Sequence, residues 1–471
     1  MVRCCLIILS LFSASSFAAG LSPYLPLKIS PEVESQIEKV MALTPGAPLT
    51  RPYKASELSA RLKLVEQQHP EMFQELSAYL ERLKQPMGLT HASVSASLSN
   101  DSKRALPNQR NVRNDSSYQV SLGALTYLSP YAYVSGGMQY ADDEGLTHYN
   151  THFGFGYEYL QVELGYREHW FSPFQDSAML VSTHAKPSPS ITISNATPIT
   201  SWNIRYEIFY SQLEKVDEIV LGEESFPGRP RHAGVHLSFT PMDFWTIGIN
   251  RTLQFGGGKR EVSFSDVLEA LFDPAGKDNV GDVGNDDPNF EFGNQQASVT
   301  SKWNFNWYTP MSVYVEYAGE DTVNESNFQL GNDALSFGLY LPALTDDISV
   351  RYEFNDWSTR WYVHHLYPDG YTNDGQIIGH WGGAERVFGQ DTPSKVHALN
   401  INWRLTGNQL LDVNLRTIQN QNTPKQSYET GYEAQIAYSF ANQYGFWGLE
   451  VFAGKDVFGS NFSRLSGVFR W

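Results

Sequence analysis

Alternate residues are apolar through most of this chain, and that two-residue rhythm limits its fold more than any other property. Trp202, Ile204, Tyr206, Ile208 and Tyr210 oppose Asn203, Arg205, Glu207 and Ser211. Trp245, Ile247 and Ile249 oppose Thr246 and Asn250; Val313, Val315 and Tyr317 oppose Ser312 and Glu316. Val350, Tyr352 and Phe354 oppose Arg351, Glu353 and Asn355, and Leu399, Ile401 and Trp403 oppose Asn400, Asn402 and Arg404. Successive side chains of a strand point to opposite faces, so each segment reads as a strand with one apolar and one polar face. The pattern runs to the last residue. Trp471, Phe469 and Leu465 share one face, and Arg470, Ser466 and Arg464 the other. A β-sandwich also alternates, with its apolar face inward. An aromatic at the end of the last strand points instead to a closed barrel in the outer membrane, where lipid satisfies no backbone group and no strand edge can stay open.

The N-terminus agrees with that compartment. Residues 1–18 have the form of a secretory signal: Arg3, a short apolar run from Leu6 to Phe12, and small residues at Ser16 and Ala18. The run is too brief to span a bilayer, and cleavage is expected after Ala18. Cys4 and Cys5 leave with it, and no lipobox cysteine follows. A net charge of −17 argues against nucleic acid as a partner, because phosphate would be repelled. It suits a surface beside anionic lipopolysaccharide only through basic side chains or bridging divalent ions.

Residues 19–87 break the rhythm. Val33, Ile37, Val40 and Met41 form a helical stripe behind Ser30 as cap; Leu58, Leu62 and Val65 form a second, and Met72, Leu76, Leu80 and Leu83 a third. The expectation is a small α-helical bundle at the periplasmic mouth, followed by a barrel over residues 88–471. Short turns are expected at Ser129-Pro130, Tyr159-Leu160, Thr240-Pro241, Thr309-Pro310, Thr345-Asp346 and Gly407-Asn408. Longer polar stretches lie between them, at 100–116, 170–188, 213–230, 255–291, 322–332 and 357–392. This alternation gives about eighteen antiparallel strands with both ends periplasmic.

Signatures of catalysis are missing: the sequence has no Gly-x-Ser-x-Gly elbow, His-Glu-x-x-His helix or phosphate loop. Gly256-Gly257-Gly258-Lys259 lacks nucleotide-cradle spacing and reads as a flexible loop entry. His364 and His365 are adjacent, so in an extended strand they would point apart and could not share a metal ion. The acidic stretch 273–291 reads as a solvated loop, without the spacing of an EF-hand. Before it, Phe264, Val267, Leu268, Leu271 and Phe272 form an apolar stripe, with Ser265 as cap, expected to tuck into or over the lumen. The mixed signs of Arg205, Glu207, Glu316, Glu320, Arg351, Glu353, Arg404 and Arg416 favour internal salt-bridge ladders and a plugged lumen over a charged eyelet. The loop 357–392 interleaves Trp357, Trp361, Tyr362, His364, His365, Tyr367, Tyr371, His380 and Trp381 with Asp369, Asn373 and Asp374. Aromatic faces stack on sugar rings while carboxylates take hydroxyls. The same composition equally suits a packed lid.

Several stretches together resemble the Wzi family of capsule-assembly outer-membrane proteins. They are Phe255-Gly256-Gly257-Gly258-Lys259, the Ser263–Phe272 segment, Asn285-Asp286-Asp287-Pro288 and Gly293-Asn294-Gln295. With them go Glu316-Tyr317-Ala318-Gly319-Glu320-Asp321, His364-His365-Leu366-Tyr367-Pro368-Asp369-Gly370-Tyr371, Ile378-Gly379-His380 and Gly382-Gly383. The resemblance implies an eighteen-stranded barrel whose lumen is blocked by helices and folded loops. It also implies a lectin-like, non-catalytic role, anchoring exported capsular polysaccharide at the cell surface without cofactor or metal. The candidate contacts are Trp361, His364, His365, Tyr367, Asp369, Tyr371, His380 and Trp381, with Lys259 and Arg260. A monomer in contact with outer-membrane lipid and lipopolysaccharide is expected. A porin or substrate channel is the alternative reading.

Overall fold

The computed structural model describes residues 20–28, 30–272, 292–320, 322–323 and 326–471. The signal segment and the acidic stretch 273–291 fall outside the described residues.

The alternating segments form one antiparallel sheet that closes on itself. In chain order its staves are β1 Met87–Ser99, β2 Tyr118–Ser129, β3 Ala132–Ala141, β4 Thr151–Tyr157, β5 Leu160–Tyr166 and β6 Pro189–Ser194. There follow β7 Arg205–Gln212, β8 Arg231–Met242, β9 Trp245–Phe255, β10 Gly293–Asn306, β11 Pro310–Gly319 and β12 Ala334–Leu341. The last six are β13 Ile348–Trp357, β14 Ser394–Thr406, β15 Gln409–Asn420, β16 Gly431–Asn442, β17 Gly445–Lys455 and β18 Asn461–Arg470. Gly145–His148 pairs with β3 in tandem with β4, so nineteen segments make eighteen staves. The last strand meets the first through pairs from Ser93↔Arg470 to Ser99↔Arg464.

Burial shows which face is outside. On β18 Leu465 is exposed while Arg464 and Ser466 are buried; on β9 Ile249 is exposed while Asn250 and Thr252 are buried. The apolar faces point outward and the polar faces into the lumen. That is the inverse of a sandwich and the pattern of a wall immersed in lipid. Short turns gather at one end of the barrel and long loops at the other. Two boundaries differ from the sequence reading. Thr240 and Pro241 lie within β8, where the register shifts between Phe239 and Met242, and the turn comes at Asp243-Phe244. A bulge can accept a proline that supplies no N–H to the ladder. Trp202 and Asn203 belong to the turn before β7, with Asn203 at φ 50°.

Three helices close the short-turn end: α1 Pro31–Leu43, α2 Ala55–Val65 and α3 Pro70–Lys84. Ser30 caps α1 by accepting from the Val33 N–H. Val40, Met41, Leu58, Leu62, Leu76 and Leu80 form the bundle core. Asn304 donates to the Met41 and Thr44 carbonyls, and Tyr127 to that of Leu83, tying the bundle to the wall.

A fourth helix, α4 Phe264–Phe272, corrects one expectation. It does not cover the lumen. Ala270 is buried, and Val267 and Leu271 pack, on Ala233, Leu253, Phe255 and Phe292. Ala233 and Leu253 share the outward face with exposed Leu237 and Ile249, so α4 lies against the outside of the wall. Ser263, rather than Ser265, accepts from the Asp266 N–H at its start.

Candidate functional site

The lumen is filled by the chain itself. The expected ladders of wall charges are only partly present, because most of those groups bond to plugging segments. Arg205 pairs with Glu57 of α2 at 2.8 Å, Arg404 with Glu75 of α3 at 3.4 Å, and Arg351 reaches Glu38 of α1 at 3.8 Å. Glu207 binds Arg167 at 3.0 Å and His169 at 2.7 Å, and Glu316 accepts from Ser172 at 2.8 Å. Glu353 accepts from the backbone N–H of Gln175 and Asp176, at 2.9 and 2.8 Å. Arg416 holds both Asp176 and Glu433.

Many of these partners come from one segment, residues 167–188, which joins β5 to β6. It is buried from Arg167 to Phe174 and again from Ser177 to Ala185, with Gln175 and Asp176 half-buried between. Trp170, Phe171 and Leu180 are 0% exposed. The Arg51 guanidinium sits 4.3 Å from the Trp170 ring and donates to the Phe174 carbonyl at 2.8 Å, joining this plug to the chain that enters from the helical end. Sequence reading counted 170–188 among the long polar stretches. Its signal was present in Trp170, Phe171, Phe174, Met179, Leu180 and Val181, which no solvated loop would carry together.

Above the plug lies the loop 358–393. Trp361, Tyr362, Tyr371, His380 and Trp381 are all within 2% of full burial. Tyr362 donates to the Met179 carbonyl at 2.7 Å, Trp381 Nε1 to Asp176 at 2.8 Å, and Tyr371 shares a 2.7 Å hydrogen bond with His232. Glu320 anchors the start of this loop, accepting from the Tyr362 N–H at 2.8 Å and from Asn294 and Gln296 at 2.9 Å. The faces of Trp361, Tyr371 and Trp381 are therefore taken up by protein. His380 accepts from the Gly382 N–H through Nδ1, and burial pushes its pKa down to about 4.

The other candidates meet at the surface. Residues 213–230 form a hairpin, Val216–Leu221 with Glu224–Gly228, which packs on 256–260 and 364–370. Tyr367 is 1% exposed and donates to the Gly256 carbonyl at 3.1 Å; Arg260 is buried and donates to the Val220 carbonyl at 3.2 Å. The glycine run serves this packing: Gly257 has φ +91°, and a Cβ there would meet Ile219 at 2.7 Å and the Arg229 carbonyl at 2.8 Å. Lys259 is exposed, 3.7 Å over the Phe226 ring. His365 is exposed and His364 half-buried. Their rings stack at 4.8 Å in a turn, not on opposite faces of a strand. Asp369 is half-buried, its carboxyl pushed up by burial and by Asp217 and Glu218. Among the described residues no cluster of three or more His, Cys, Asp or Glu side chains could hold a metal ion. Sequence reading missed Phe226 and Phe388, aromatic groups at the outer surface, the latter 60% exposed. The apolar run Ile219-Val220-Leu221 before Gly222 was the available sign of the hairpin.

Comparison with known proteins sets this architecture in a family. No curated protein sequence matches the chain. Among solved structures it is similar to Wzi of Escherichia coli, described as an outer-membrane protein involved in group 1 capsule assembly and a carbohydrate-binding β-barrel. That match has a TM-score of 0.70 at 15% identity, covering 96% of this chain and 99% of that one. Acinetobacter baumannii OccAB2 matches at a TM-score of 0.46 and 8% identity, covering 81% of this chain and 97% of that one. Pseudomonas aeruginosa OprD matches at 0.43 and 8%, covering 82% and 94%. The family model for capsule assembly protein Wzi matches residues 85–454, from the end of α3 into β17. The chain belongs to the Wzi family of capsule assembly proteins, and it is an outer-membrane β-barrel.

Proposed function

We propose that this protein is a non-catalytic surface anchor that holds exported capsular polysaccharide through its long-loop end. The observation that carries the reading is the filled lumen. Helices and the residues 20–54 enter from one end, and residues 167–188 and 358–393 from the other, so the barrel offers a surface instead of a passage. In this reading the long loops face the medium and the helical bundle faces the periplasm. The Escherichia coli relative is a carbohydrate-binding barrel, which supports a saccharide as the ligand here.

The exposed and half-buried groups Lys259, Phe226, His365, Asp369 and Phe388 are the proposed contacts, with aromatic rings stacking on sugars and polar groups taking hydroxyls. Trp361, Tyr367, Tyr371, His380, Trp381 and Arg260 act beneath them as the support that fixes the loops. The test is capsule retention in a strain lacking the protein, complemented with the wild type or with a Lys259→Ala/Phe226→Ala/His365→Ala triple variant. Shedding of polymer into the medium by the deletion strain, and at least tenfold weaker binding of purified variant barrel to the cell's own polymer, are the expected results. Full retention without the protein would overturn the proposal.

A further inference from the structure

The lumen is not filled evenly. On the β8–β10 side the inward groups are packed: Asn250, Thr252, Gln254, Ser298 and Thr300 are each at most 1% exposed. On the β14–β17 side the inward groups Asn400, Asn402, Asp412, Asn414, Gln435 and Glu450 are all half-exposed. They line a cavity of about 170 Å³, and a second lobe of about 110 Å³ shares Lys28, Gln109, Gln435 and Glu450 with it. At roughly 30 Å³ for each water in the liquid, the larger lobe alone has room for about half a dozen. Displacing that many waters would make room for a sugar residue.

The cavity is built from groups that hold one another in place. Asn400 donates to Asp412 and to Asn414, both at 2.9 Å, and Asn402 donates to Asn400 at 2.6 Å. Asn414 completes the set by donating to Asp412 at 2.6 Å. Charges on the lining nearly balance, with Glu34, Asp176, Glu353, Asp412 and Glu450 set against Lys28, Arg351, Arg416 and Arg470. Such a wall has little net sign with which to select an ion, but its amides suit hydroxyls. Among the described residues, two buried atoms on lining side chains have no protein partner: Asn108 Oδ1, an acceptor on a side chain 1% exposed, and Gln175 Nε2, a donor. A hydroxyl both donates and accepts, so a polyhydroxyl ligand suits a wall of amides and carboxylates.

Toward the long loops the cavity is shut twice. Arg416 and Asp176 meet there, Arg416 also holds Glu433 at 2.8 Å, and Arg104 binds Glu433 and, at 2.6 Å, Glu385. The apolar cluster of Trp381, Ile418 and Val457 lies beyond. Toward the short-turn end the lining is the half-buried face of α1 at Pro31, Glu34 and Ser35.

We infer that this cavity is a second saccharide site, taking one neutral sugar residue from the helical end of the barrel, independently of any polymer held by the outer loops. Residues 20–471 contain no cysteine, so a single Asn414→Cys substitution provides a local probe. Its modification by a small charged thiosulfonate reagent would be timed in detergent-solubilised barrel, with and without glucose, galactose or N-acetylglucosamine. The expected result is ready modification, slowed at least tenfold by one of these sugars and unaffected by sodium chloride. Equal rates with and without every sugar would overturn the inference, as would a folded variant that resists the reagent. If Asn414→Cys fails to fold, Gln435→Cys on the neighbouring strand gives the same readout.

Discussion

At the scale of single residues, two buried histidines make the outer plug sensitive to acid. His184 is 2% exposed and His380 0%, and each accepts a backbone N–H through Nδ1, from Asn108 at 3.3 Å and Gly382 at 3.0 Å. A protonated ring could not accept at that atom. Burial, with Arg104 and His380 nearby, pushes His184 down to about 3; burial also lowers His380 to about 4, against the pull of Asp176. Both folded values lie below the ordinary 6.5. The unfolded loops therefore take up protons first as pH falls, and loop stability present above about 6.5 drains away toward 3. Limited proteolysis of the outer loops should accelerate across that window while the barrel stays closed, and His184→Gln/His380→Gln should flatten the dependence. An unchanged profile in the double variant would assign the acid response elsewhere. The sequence displayed His380 among aromatic neighbours and gave no sign of His184. It could not tell whether the rings face sugar or protein, because that depends on the 167–188 segment brought beneath them by the closure of the sheet.

At the scale of elements, one carboxylate ties α2 to the wall at β7. Glu57 lies between Arg61 at 2.6 Å and Arg205 of β7 at 2.8 Å. Burial would raise its pKa, but the two guanidinium groups hold it at about 2, below the ordinary 4.5. Its contribution to docking is complete above about 4.5 and is lost as pH falls through about 2. Glu57→Gln should weaken the bundle's attachment by about 3–5 kcal/mol, the cost of leaving buried charge unpaired. Protease cleavage of α2 at neutral pH, in a barrel that still resists detergent, is the expected readout. The helices themselves were legible from stripes such as Ile37–Val40–Met41 and from Ser30 as cap, since both are local. Their union with β7 was not, because Glu57 and Arg205 are far apart in sequence. The position of α4 shows the same limit: its apolar stripe announced a surface to cover, but the inside and outside of a barrel wall cannot be told apart by periodicity.

For the whole molecule, the packing predicts electrical silence. The ionic layer around Arg416 and the apolar layer of Trp381, Ile418 and Val457 lie in series between the cavity on the β14–β17 side and the long loops. Barrel reconstituted in planar bilayers should show no steady large openings at moderate voltage. Regular conductance steps from the wild type would mean that the plug moves aside, and would revive the channel reading. The architecture at this scale was the most legible part of the chain. The alternation in segments such as Leu399–Leu405 and the parity of turns and loops both follow from closing a sheet in lipid, which leaves few alternatives. What fills the sheet follows no comparable periodicity.

The helix on the outer wall breaks the cylinder's symmetry. At β8 and β9 the molecule is broadened by one helix diameter, about 10 Å, whereas β15–β18 present a bare row of side chains such as Tyr432, Leu449 and Leu465. A neighbouring barrel drifting in the plane of the membrane thus meets two unlike flanks, one ridged and one smooth. Close side-by-side packing is open along the smooth wall and blocked at the ridge.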